Sequence, residues 1–217
     1  MFERLFARQR RSTLIDAAFR DISEMLRRSQ AMLDLALAAL LDNRPLEVDL
    51  NAMDDAVDEG ERMVRRSVLE HLAVNPQHDL VASLVLASMV QDAERVGDFG
   101  RGIAELVPLA RGPRSGPFAD ELRRHAERLR PLFALTEEAF VADEPGKAQQ
   151  VMAAYAGLKR DLLDYTRRVA ASDLGADLAV VYSGAARSLR RVGAHLANIA
   201  SSVVQPYDRI RHGDEEA

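Results

Sequence analysis

At 217 residues the chain is long enough to bury a sizeable core, and its formal net charge of -5 excludes the basic footprint that generic nucleic-acid binding needs. It has no cysteine, so disulfides and thiolate metal sites are excluded as well. No apolar run approaches the ~18–20 residues of a bilayer-crossing helix. The start Met1-Phe2-Glu3-Arg4-Leu5-Phe6 has no continuous apolar stretch of the kind a cleaved signal peptide carries, and a cytoplasmic protein is the expectation.

Helical periodicity accounts for nearly the whole chain. Phe19, Ile22, Leu26, Leu33, Leu37 and Leu40 form one seam at spacings of three and four, and Met53, Val57, Val64, Val68 and Leu72 a second. A third runs through Ala82, Val85, Met89, Ala93, Val96, Gly100, Ile103 and Val107. Turns at Asn43-Arg44-Pro45 and Asn75-Pro76 separate these three. The Pro/Gly-rich stretch Arg111-Gly112-Pro113-Arg114-Ser115-Gly116-Pro117 marks a boundary. Beyond it, Asp143-Glu144-Pro145-Gly146 and Ser172-Asp173-Leu174-Gly175 divide three more helices. Pro131 should kink the fourth or move its start. The last seam is Leu178, Val181, Ala185, Leu189, Val192, Leu196, Ile199 and Val203. Short turns force antiparallel neighbours. The pattern therefore predicts an all-α fold of two tandem antiparallel three-helix bundles, residues 1–110 and 118–205, with a linker at 111–117 and a flexible tail at 206–217.

The third and sixth seams share more than period. Arg95, Val96, Gly97, Ile103, Ala104 and Val107 recur 96 residues later as Arg191, Val192, Gly193, Ile199, Ala200 and Val203. The acids do not recur: Glu94 becomes Arg190 and Asp98 becomes Ala194. Glu94 and Asp98 are four apart and share a helix face, which angle counting turns away from the Val96/Gly100/Ile103 seam. Counting back through the turn near Pro76 sets Glu94 level with Asp58, and Asp98 level with Asp54. Oxygen-only clusters suit hard cations, so the four are candidate ligands for a divalent or ferric ion (Mg²⁺, Mn²⁺, Fe or Zn²⁺). The competing reading is a solvated acidic face neutralised by Arg95, Arg101, Arg62 and Arg65. In the second half the same level holds Arg190, Lys159 and Arg160, which suits an anion better than a cation.

Asp92-Ala93-Glu94-Arg95-Val96-Gly97-Asp98 resembles the E(D)-x-x-x-D signature of the PhoU family of phosphate-response proteins. The Asn75-Pro76-Gln77-His78-Asp79-Leu80 turn and the Asp54-Asp55-Ala56-Val57-Asp58 helix are similar to the family's first repeat, and the signature region spans residues 50–107. The resemblance implies tandem three-helix bundles and a non-enzymatic, cytoplasmic role in regulating phosphate uptake. It also implies contacts with phosphate transporter components and a sensor histidine kinase, and a surface metal site at Glu94 and Asp98. The second repeat departs from the pattern by losing both acids, and Gly102 stands where the family often has Asn. The alternative is a metal-free helical protein–protein interaction module.

Other chemistries fit less well. A di-iron carboxylate enzyme needs Glu-x-x-His pairs, and the chain has none. The histidines, His71, His78, His125, His195 and His212, are never spaced four apart, and His195 reads as a packed or capped residue rather than a phosphoacceptor. The basic start with Phe2, Leu5 and Phe6 suits peripheral contact with an anionic membrane. A homodimer is compatible with everything above.

Overall fold

A computed structural model describes residues 13–210; the basic start (Arg4, Arg8, Arg10, Arg11) and the end of the chain from 211 lie outside the described residues. Six α-helices follow one another: α1 Thr13–Leu41, α2 Leu50–Val74, α3 Leu80–Ala104, α4 Pro117–Ala142, α5 Pro145–Ala170 and α6 Ala176–Ser201. No strand occurs among the described residues.

The helix ends follow from local chemistry. The Asp49 carboxylate accepts hydrogen bonds from the amides of Asn51 and Ala52 at 2.9 and 3.3 Å, which caps α2. Proline opens α4 and α5, where its missing N–H costs nothing. Asn43 and Asp143 take left-handed backbone conformations just beyond α1 and at the end of α4. Pro131 does not move the start of α4, which runs through it. The residue is exposed, so the Glu127 carbonyl that loses its i+4 donor can turn to water.

Helices α1, α2 and α3 pack together, as do α4, α5 and α6. The two groups are joined through α3 against α6 and α1 against α4. One apolar core runs through both, with Phe19 of α1 and Phe140 of α4 at 4.8 Å between ring centroids. The stretch 111–117 is pinned rather than loose. Arg114 donates to the carbonyls of Leu40 and Ala39 at 2.8 and 2.7 Å, satisfying groups left orphaned at the end of α1. Its backbone exchanges two further hydrogen bonds with the Asn43 side chain.

Two features of the ends matter for function. The segment expected to fray from 206 onward instead forms a short 3₁₀ turn, Tyr207–Arg209, and buries Ile210 in the core. The reason is a single apolar side chain in a polar stretch, which gains by leaving water. No helix among the described residues is long and apolar enough to cross a membrane.

Candidate functional site

Helix α3 touches α1, α2 and α6, so little of its circumference is left to solvent. This changes where the signature acids lie. Glu94 and Asp98 do not stand outward: their side chains are 17% and 28% exposed, in the groove facing α2. A helix with neighbours on three sides half-buries even the face opposite its main seam. Gly97 lies between the two acids, and a Cβ there would meet Ser29 Oγ at 3.2 Å, Val57 Cγ1 at 3.4 Å and Asp54 Oδ1 at 3.7 Å. Its bare backbone is what lets α2 come close enough to bring its own acids alongside.

The groove is crowded with charge. Asp54 and Asp58 of α2 lie near Asp98 and Glu94 of α3, and Glu61 lies near Glu94. Burial pushes the Glu94 carboxyl up to about 7, reinforced by the negative charge of Asp98, opposed by Arg95, and raised further by Glu61 and Asp58. Burial also raises Asp54, against the pull of Arg101 and with the push of Asp98 and Asp58. Two arginines answer part of this. Arg95 donates to Asp98 at 2.8 Å, and Arg101 Nε lies 2.8 Å from Asp54 Oδ2. Partly exposed pairs of this kind are worth roughly 0.2–1 kcal/mol each.

The corresponding groove between α5 and α6 has another character. It holds a cavity of about 240 Å³ lined by Met152, Tyr155, Lys159, Ala194, Asn198 and Ser201. Ala194 stands one 96-residue period after Asp98. Gly193 again sits at the close approach, where a Cβ would lie 2.8 Å from the Tyr155 ring and 3.3 Å from Leu129. Arg160 is exposed, and the nearby Asp161 is paired with Arg128 at 2.7 Å.

Residues 22–107 match the family model of the PhoU domain. That stretch, which takes in most of α1 and all of α2 and α3, is similar to a PhoU domain. All four groove acids fall inside it. Two crystal structures share the fold. One is PhoU from Pseudomonas aeruginosa, with a TM-score of 0.72, 21% identity, and coverage of 88% of this chain and 95% of that one. The other is the phosphate transport system regulatory protein PhoU from Streptococcus pneumoniae, with a TM-score of 0.69, 21% identity, and coverage of 88% and 93%. No curated protein sequence matches the chain.

Sequence reasoning missed two polar groupings. Asp92, only 5% exposed, accepts from His195 Nδ1 at 2.7 Å and from the Asn198 amide at 3.0 Å, tying α3 to α6. His195 also stacks on Phe99 with ring centroids 5.7 Å apart. The available signal was that α3 carries apolar residues on two faces (Leu86 and Val90 as well as Val85 and Met89), so a second neighbour had to cover Asp92. The other grouping joins His71, His78 and Asp79 at the turn between α2 and α3.

Proposed function

We propose that the chain is a non-enzymatic, cytoplasmic regulator of phosphate uptake that acts as a helical adaptor for phosphate transporter components or a sensor histidine kinase. In this reading the groove between α2 and α3 binds a hard cation through Glu94, Asp98, Asp58 and Asp54. The match to the PhoU domain supports the pathway. The observation that carries the site is the raised Glu94 carboxyl, held in a half-buried groove among three further acids. A cation bound there supplies positive charge that lets these acids ionise together, linking α2 to α3. An all-carboxylate donor set suits a hard cation, although no three of these acids yet bring their oxygens within 4.8 Å of one another, so binding would draw the α2 and α3 carboxylates together. The residues of the chain do the positioning: Gly97 sets the helix spacing, while Arg95 and Arg101 orient Asp98 and Asp54.

One observation favours the metal-free adaptor: the two arginines already neutralise part of the cluster. Titrating Mg²⁺, Mn²⁺ and Fe³⁺ into wild type and Glu94→Ala/Asp98→Ala while recording thermal unfolding separates the two. A shift in wild type alone supports the cation site. Identical shifts leave an acidic face with no ion. Deleting the gene and finding phosphate uptake unchanged would remove the phosphate reading itself.

A further inference from the structure

We infer that the turn between α2 and α3 forms a second, nitrogen-rich metal site, built from His71, His78 and Asp79 and suited to a borderline divalent ion such as Zn²⁺. Each of the three offers a ligand atom, and these atoms all lie within 4.8 Å of one another, the only such trio among the described residues. Asp79 Oδ2 is 2.9 Å from His78 Nδ1 and 3.8 Å from His71 Nε2. Ligand bonds of about 2.0–2.1 Å in a tetrahedron put neighbouring donors about 3.4 Å apart, between those two values. The two Asp79 edges therefore need shifts of only about half an ångström, and the edge between the two imidazoles, at most 4.8 Å, closes by rotation of the exposed His78 ring. Two imidazoles and one carboxylate match zinc chemistry far better than the oxygen-only groove does, and a fourth position is left to water.

Two further observations favour a ligand here. Asp79 occupies the N-cap position of α3, yet its carboxylate makes no capping hydrogen bond and turns to the imidazoles instead. His71 is 1% exposed in the last turn of α2, where the free carbonyl end of the helix favours positive charge. His71 Nε2 lies 2.9 Å from the His78 carbonyl, which can only accept, so that nitrogen is the donor. Binding replaces that proton, and the freed carbonyl, on an exposed residue, turns to water.

The test uses full-length, tag-free protein stripped with EDTA and titrated with Zn²⁺ by calorimetry. Glu94→Gln/Asp98→Asn serves as the background, so the acidic groove loses two of its four proposed ligands. One Zn²⁺ per chain is expected in that background, with affinity reduced at least ~10-fold by adding His78→Ala or Asp79→Asn. His78 is exposed, and Asn tolerates the left-handed backbone of Asp79, so both variants keep the fold. Circular dichroism melts verify this. Absence of Zn²⁺ binding in the background, or binding unchanged by both substitutions, overturns the assignment.

Discussion

Gly97 and Gly193 stand 96 residues apart, and each lets its helix approach two neighbours closely, yet the grooves beside them hold opposite chemistry. Beside Gly97 the chain presents Glu94, Asp98, Asp54 and Asp58; beside Gly193 it presents Lys159, Asn198 and Tyr155 around a cavity. The backbone approach has been kept while the charge has changed sign. A glycine in a helix interior costs about 1 kcal/mol against alanine. Such a cost at both positions ties the glycine to helix packing, and leaves the acids of the first groove as the feature that packing does not require.

The largest test of this comparison lies where the halves meet. Asp92→Ala removes the acceptor shared by His195 and Asn198 and leaves two buried donors unsatisfied. We expect about 2–3 kcal/mol lower stability in chemical denaturation. The position one period later is Ser188, where Ser188→Ala should stay within about 0.5 kcal/mol. Equal losses would mean that the bridge is not specific to α3.

The next effect compares the glycines themselves. Gly193→Ala sets a Cβ 2.8 Å from the Tyr155 ring, with Leu129 behind it. Overpacking of this kind costs roughly 1–3 kcal/mol, more than the helix-propensity gain of alanine. Gly97→Ala meets nothing nearer than Ser29 Oγ at 3.2 Å, so gain and clash nearly cancel. Gly193→Ala should therefore be about 1–2 kcal/mol the less stable of the two, read from urea midpoints. A larger loss at Gly97 would show that the first groove is the tighter one.

Much of this was legible beforehand. The seam residues Phe19, Ile22, Leu26, Val57, Val64, Val96, Leu189 and Val192 are buried, because an apolar stripe at helical spacing has little choice but to face other helices. The turns at Asn43 and Asp143 were readable from residue types that accept a left-handed backbone. The level of Asp54 and Asp58 against Asp98 and Glu94 followed from counting across a short turn. Packing between the bundles did not follow: nothing in the period of α3 says that α6 covers Asp92. The His71–His78–Asp79 trio was invisible for a related reason. Residues seven and eight apart meet only if the helix stops between them and the turn doubles back, which depends on the backbone at Asp79. The burial of Glu94 was underestimated because a helical wheel ranks faces but does not count the neighbours around them.

The smallest effect concerns the charge of Glu94 and sharpens the comparison most directly. In metal-stripped protein its carboxyl is raised to about 7 from an ordinary 4.5. A raised acid binds its proton more tightly in the folded state. Its stabilising contribution is complete below about pH 4.5 and is lost as pH climbs through 7, where the folded state must carry the charge. The full shift corresponds to roughly 3 kcal/mol, which screening at a half-buried carboxylate reduces to about 1 kcal/mol. Glu94→Gln removes the charge and keeps the shape. It should match wild type near pH 4.5 and be about 1 kcal/mol more stable at pH 8. Adding Mn²⁺ at pH 8 should raise wild type toward the variant and leave the variant unmoved, because the ion then supplies the positive charge that the groove lacks. Arg190→Gln, at the matching position of the second half, should show no such divergence from wild type between pH 4.5 and 8. Parallel pH curves for wild type and Glu94→Gln would mean that Arg95 already balances the groove, and the two halves would then differ in sign alone.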